Sequence, residues 1–255
     1  MRYGKGLWLF LIFISSCCAS RANIRWLDRY PFDDNGNAFL ASAVERSAMI
    51  EVVSLGNTSG TFTNKGTGAF VSGNGLILTA NHVLGGQFAA VYVHRCVLEA
   101  EHSAIKCGEK EEAELVARDP PNDLALLRLK RRTETKFFRL GNMNEIERGD
   151  LLWRVGMDDT GWTAGALVNP FSEMASNRME ILMPVRGGAS GGPVVDERGR
   201  LVGIVTSSPP RSVAVDLVTF AVPIERAAEG LLRNRLNRQA PRVNRRGVHA
   251  SPPAL

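Results

Sequence analysis

Short apolar runs separated by turn residues recur along most of the chain. The runs 48–55, 68–72, 75–80, 89–95, 113–117, 124–129, 151–155, 165–168, 179–183, 193–195, 201–206 and 214–222 each read as a strand. Turn signals stand between many of them, at Gly73-Asn74-Gly75, Gly85-Gly86, Asp158-Asp159 and Glu197-Arg198-Gly199. β-Branched residues are frequent in the runs, as pleated strands favour. No heptad, no solenoid period and no βαβ alternation interrupts the series. Many short strands at close spacing predict an all-β barrel or sandwich, and a body of about 200 residues is enough for two small barrels. After the last strand, Ile224, Ala227, Ala228, Leu231, Leu232 and Leu236 recur at spacings of three and four, which predicts a helix over 224–236.

Composition changes this picture only at the ends. Residues 1–22 have a basic start (Arg2, Lys5), an apolar stretch from Leu7 to Ile14 and then small residues, the pattern of an export signal. The apolar stretch is short of the ~20 residues that a spanning helix needs. Two processing routes stay open. Ile14-Ser15-Ser16-Cys17 is similar to a lipobox, which would make Cys17 a lipidation site, and Ser20-Arg21-Ala22 suits an ordinary signal peptidase. Either route places the body outside the cytoplasm, in the periplasm or the medium.

The chain's net charge of +5 also belongs to the ends, because three cations in 1–22 and a net +5 over 225–255 leave 23–224 at −3. The body therefore gives no charge argument for nucleic acid. The tail 237–255 is rich in Arg, Pro, Asn and Ser and reads as disordered. It could touch an anionic membrane, as could a lipid on Cys17. Residues 23–46 form an N-terminal segment ahead of the strands.

Cys96 and Cys107 remain in the body, an even pair in an oxidising compartment. A disulfide between them would stabilise by about 3 kcal/mol on the chain-entropy argument. A metal site with His94 and His102 is the alternative, but that spacing fits no zinc pattern, and no metal is expected.

Three segments carry candidate chemistry. His82 follows the run Leu76-Ile77-Leu78-Thr79-Ala80, where the chain leaves the sheet. A histidine beside a rigid strand suits general-base work. Asp123 opens the run 124–129, at a strand edge where a carboxylate can accept from an imidazole and fix its tautomer. Ser190 sits in Gly187-Gly188-Ala189-Ser190-Gly191-Gly192. Such a loop exposes a hydroxyl and turns backbone N–H groups toward one point, where they can hold an oxyanion. Singly, each has a plain structural explanation: a structural histidine, a turn aspartate, a loop serine. Together, the order His, Asp, Ser is one chain order of the serine-protease triad.

These segments resemble the trypsin-like serine proteases, and most closely their exported high-temperature-requirement branch. Gly66-Thr67-Gly68-Ala69-Phe70-Val71 with Leu78-Thr79-Ala80-Asn81-His82-Val83 is similar to the family's histidine segment. Asp119-Pro120 with Asp123-Leu124-Ala125-Leu126 resembles its aspartate segment, and Gly188-Ala189-Ser190-Gly191-Gly192-Pro193 its nucleophile loop. Phe220-Ala221-Val222-Pro223 resembles its last strand. The likeness covers roughly 47–235. It implies two six-stranded antiparallel barrels, about 47–145 and 146–223, followed by the helix 224–236. It further implies an endopeptidase acting on protein or peptide substrates without metal or organic cofactor. Ser190 would be nucleophile, His82 base and Asp123 its orienter, with the N–H groups of Gly188 and Ser190 as oxyanion hole. Pro184, Val185, Thr206, Ser207 and Ser208 would line the first specificity pocket. No acidic residue lies in those segments, so a small or apolar side chain is expected there rather than Lys or Arg.

Two features depart from the family. Position 189 is Ala, where digestive relatives have an Asp that pairs with a newly cut N-terminus and the exported branch commonly has Asn. Activation by N-terminal cleavage is therefore not expected, and the loop must be ordered by packing or by substrate. No room is left after 236 for a PDZ domain, which implies a stand-alone protease domain. The alternative is a catalytically silent protease fold that serves as an envelope binding protein. Silent relatives usually lose one of Ser, His or Asp, and all are present here.

Overall fold

The computed structural model describes residues 34–55, 61–99, 104–158, 161–172, 177–207 and 218–233, all within one compact unit. The export signal with Cys17, the basic tail, Ser208, positions 214–217 and the helix end 234–236 lie outside the described residues.

Among the described residues, every predicted run overlaps a strand. β1 (Ser47–Leu55), β2 (Thr61–Phe70), β3 (Leu76–Ala80), β4 (Ala90–Glu99), β5 (Ala104–Asp119) and β6 (Leu124–Leu129) close into one barrel in the cyclic order β1-β2-β3-β6-β5-β4. β7 (Leu151–Val155), β8 (Trp162–Ser172), β9 (Arg178–Leu182), β10 (Pro193–Val195), β11 (Leu201–Ser207) and β12 (Val218–Pro223) close a second. Its order, β7-β8-β9-β12-β11-β10, repeats that of the first. All neighbouring pairs are antiparallel.

The continuous apolar runs have a physical reason, because both faces of these strands are buried. On β3, Ile77 points into the first barrel, whereas Leu76 and Leu78 face the core between the barrels. On β6, Ala125 and Leu127 point inward and Leu124 and Leu126 outward to that same core. The second barrel supplies Val155, Val195, Leu201, Ile204 and Val222 to it. This shared core fixes the two barrels against each other and so fixes the loops at their junction.

β2 and β5 are longer than their apolar runs predict. The first half of β2, Thr61–Lys65, is exposed and pairs with β1. The first half of β5 is polar and carries ion pairs to neighbours, Lys106 to Glu99 and Arg95 to Glu111. These extensions are held by ladder bonds and charge pairs, which leave no hydrophobic pattern to read.

Two helical features also differ from the sequence reading. The N-terminal segment contains α1 (Asp34–Glu45), whose Leu40, Ala43 and Val44 are buried and whose Phe39 stacks edge-on against Trp153 at 5.4 Å. The C-terminal helix is α-helical only over Ile224–Ala227 and then widens to a π turn over Ala228–Leu232. Widening still buries Leu231 and Leu232, so the predicted apolar stripe is largely kept.

Candidate active site

His82 stands on a one-turn helix, α2 (Asn81–Leu84), rather than on an open loop. The pairing of Ala80 with Leu124 across β3 and β6 sets the ends of those strands side by side. Asp123 therefore lies against α2, and its carbonyl accepts from the Asn81 N–H at 3.0 Å. The Asp123 carboxylate grips His82 twice. Oδ1 accepts from the backbone N–H at 2.9 Å, and Oδ2 lies 2.8 Å from the ring Nδ1. An ionised carboxylate only accepts, so Nδ1 carries the proton and Nε2 keeps its lone pair. The Asp123 side chain is 17% exposed and the imidazole 46%, so the buried carboxylate holds a ring that opens to solvent.

The turn ahead of Asp123 is rigid. Asp119 accepts from the Asn122 N–H at 3.3 Å and from its side-chain amide at 2.8 Å across the 3₁₀ turn Pro120–Asn122. Asp123 itself takes a left-handed φ of 56°, which Asp tolerates better than most residues. Arg118 braces the helix from below, donating to Asn81 Oδ1 at 3.2 Å and to the Gly85 carbonyl at 2.8 Å. The sequence reading missed Arg118, since a charged residue at a strand end carries no pattern.

Ser190 lies between two tight turns. Ala189 N–H donates to the Arg186 carbonyl at 3.1 Å, and Gly192 N–H to the Ala189 carbonyl at 2.9 Å. The third residues of these turns are Gly188 (φ 103°) and Gly191 (φ 85°), the type II signature that glycine alone meets without strain. Gly191 N–H is also bonded, to the Val205 carbonyl at 2.7 Å. Among the described residues, Gly188 and Ser190 keep N–H groups without an internal acceptor. Ala189 is fully buried, so packing holds the loop at this position.

Thr67 joins this loop to the first barrel. Its hydroxyl donates to the Gly188 carbonyl at 2.7 Å and accepts from the Met157 N–H at 2.9 Å, while its own N–H donates to the Ser190 carbonyl at 2.8 Å. Gly66 allows the approach, since a Cβ there would press on Val83 and lie 3.0 Å from the Ser190 carbonyl. Ser190 and the residue after His82 thus meet across Gly66. No hydrogen bond joins Ser190 Oγ to His82 among the described residues.

Two outcomes follow. Thr67→Val keeps the shape and removes the hydroxyl, leaving the Met157 N–H unpaired, a loss of about 1–3 kcal/mol. The loss is expected to appear as lowered stability, read by urea unfolding. Gly191→Ala puts a methyl onto the Thr67 carbonyl and the Thr79 hydroxyl at a left-handed φ. It is expected to cost about 3 kcal/mol of stability, read by urea unfolding.

The other predicted residues fall as follows. Pro184 and Val185 are half-buried between β9 and the Ser190 loop, and Thr206 is buried on β11 with its hydroxyl toward the Phe220 carbonyl at 3.4 Å. Ser207 ends β11. Cys96 and Cys107 face each other across β4 and β5 with their sulfurs at bonding distance. Among the described residues, no group of three or more His, Cys, Asp or Glu is placed to hold a metal ion.

A two-barrel fold with His82, Asp123 and a doubly turned Ser190 loop at its junction defines a class. The family model for the trypsin-like peptidase domain matches residues 66–204, more than half of the 255-residue chain. The chain belongs to that family. It is 27% identical over 173 residues to a probable periplasmic serine endoprotease DegP-like of Ectopseudomonas mendocina (strain ymp), covering 64% of this chain and 34% of that protein. The protein of the same description from Chlamydia trachomatis serovar D (strain ATCC VR-885 / DSM 19411 / UW-3/Cx) is 26% identical over 171 residues, covering 62% of this chain and 31% of that protein. The chain thus spans about a third of the length of these curated relatives. Among solved structures, the HtrA-type protease AlgW with tripeptide aligns with a TM-score of 0.63 at 24% identity, over 76% of this chain and 61% of that one. That likeness is one of fold.

Proposed function

We propose that this chain is an exported serine endopeptidase. One observation carries the reading: the Gly188 and Ser190 N–H groups, on either side of Ala189, have no acceptor among the described residues, and they lie on the loop beside a histidine whose tautomer Asp123 fixes. Two convergent donors on a rigid loop suit a developing oxyanion, and a base with its lone pair on Nε2 suits removal of a serine proton.

In this mechanism Ser190 Oγ attacks the scissile carbonyl carbon while His82 Nε2 takes the hydroxyl proton. The carbonyl oxygen, now negative, sits against the Gly188 and Ser190 N–H groups. His82 gives its proton to the amide nitrogen, the C–N bond breaks and the amine leaves, with Ser190 holding the acyl group as an ester. Water then attacks that ester, His82 takes its proton and returns it to Ser190, and the carboxylic acid is released. Asp123 stays ionised and stabilises the imidazolium. No metal or organic cofactor enters.

Pro184, Val185, Thr206, Ser207 and Ser208 would form the first pocket and favour a small or apolar side chain. The signal at 1–22, the periplasmic naming of the relatives and a Cys96–Cys107 disulfide together support an oxidising compartment outside the cytoplasm. A lipid on Cys17 or the basic tail would add membrane contact.

Digestion of reduced, unfolded casein by the purified chain tests the reading. Cleavage by the wild-type chain is expected, and its loss in the folded Ser190→Ala variant. No cleavage by folded protein would favour the binding-protein alternative.

A further inference from the structure

Behind the nucleophile loop lies a buried ion pair that no local sequence pattern announces. Arg154 on β7 and Asp158, just beyond the strand end, have wholly inaccessible side chains, with Nη2 and Oδ2 3.0 Å apart and Nη1 and Oδ1 3.3 Å apart. The pair also grips the segment that leads into the loop. Arg154 Nε donates to the Pro184 carbonyl at 3.1 Å, and Asp158 Oδ2 accepts from the Arg186 N–H at 3.3 Å. Arg186 is the first residue of the type II turn that presents Gly188. Gly156 lies between the pair and the loop, and a Cβ there would meet Arg154 Nη1, sit 3.1 Å from Asp158 Oδ1 and 3.1 Å from the Ala189 Cβ. On the far side, Gly188 packs over the Met157 carbonyl and Asp158.

We propose that Arg154 and Asp158 are positioning residues that hold the 184–188 segment so that the Gly188 N–H faces the cleft. Position 189 is Ala and offers no charge of its own to anchor the loop; the pair behind it supplies an internal anchor that needs no new N-terminus. The inference rests on the reading of Gly188 and Ser190 as the oxyanion donors.

Removing one partner leaves an uncompensated buried charge and endangers the fold, whereas replacing both by apolar residues of similar volume is often tolerated. The test is therefore Arg154→Met with Asp158→Leu, alongside Arg154→Lys, which keeps the charge and loses the Nε bond to Pro184. Steady-state peptide hydrolysis is read together with the amide NMR signals of Gly188 and Ser190. The double variant is expected to unfold cooperatively and to lose about 100-fold in kcat, with KM within about threefold. Its Gly188 amide signal should shift, and its affinity for a peptide aldehyde should fall in step with kcat/KM. Should the double variant not fold, Arg154→Lys is expected to show the same pattern with about a 10-fold loss.

A folded variant with unchanged kcat and unchanged Gly188 and Ser190 signals would overturn the proposal. So would a fall in kcat with those signals unmoved. Failure of the parent reading looks different: the wild-type chain would neither hydrolyse peptide nor bind the aldehyde, while the amide signals would still report the pair's effect on the loop.

Discussion

Replacing Ser190 with alanine is expected to lower kcat for peptide hydrolysis by about 10⁶-fold, or about 8 kcal/mol of barrier. The hydroxyl supplies the only covalent route in the proposed mechanism, and Ser190 sits on a loop whose turns are set by Gly188 and Gly191 rather than by its own side chain. The fold should therefore survive the change. His82→Ala is expected to cost a similar factor, and the double variant should be little worse than either alone, because the two side chains act as one unit. Single-turnover hydrolysis with matched thermal unfolding measures both effects. Additive losses would mean that the two residues act in separate steps.

Asp123→Asn is the second large effect, a fall in kcat of about 10⁴-fold. Asparagine fits the left-handed φ of 56° at this position, so the backbone is not strained. The side-chain oxygen can still accept from the His82 N–H. An amide NH₂ facing Nδ1, however, donates where the carboxylate accepted. The ring must then place its proton on Nε2, the atom that has to take the serine proton. Activity should recover in part at high pH only if another base removes that proton. KM should stay close to that of the parent, because Asp123 lies behind the imidazole and is mostly buried. A loss smaller than tenfold would mean that Asp123 is a turn residue and no more.

The strands were legible because burial on both faces writes itself into the sequence. Leu76-Ile77-Leu78 and Leu124-Ala125-Leu126-Leu127 are apolar without a break since each strand has barrel interior on one side and the inter-barrel core on the other. Where a strand has no buried face the signal is gone, as in Thr61–Lys65 and the charged half of β5. α1 escaped notice for a related reason. Its Phe39, Leu40, Ala43 and Val44 have helical spacing, but a single short stripe does not stand out beside a long series of strands.

The candidate site divides in the same way. His82, Asp123 and Ser190 carry reactive groups in local contexts with their own turn chemistry, so each could be named. Thr67, Arg118, Arg154 and Asp158 act by touching segments far away in the chain. Thr67 reaches Gly188, 121 positions on, and Arg154 reaches Pro184, 30 positions on. Nothing in their immediate neighbours announces such partners. The second barrel's repetition of the first is likewise invisible in sequence, since strand order is a property of pairing and not of composition.

In the proposed mechanism nucleophile, base and oxyanion donors form one working site. Reaction of the folded chain with a fluorophosphonate probe, followed by intact mass, tests it most directly, because phosphonylation needs an activated serine and a formed oxyanion hole. A single adduct is expected, absent in Ser190→Ala and strongly slowed in His82→Ala. A folded chain that takes up no adduct, or one that labels equally well after Ser190→Ala, would contradict it.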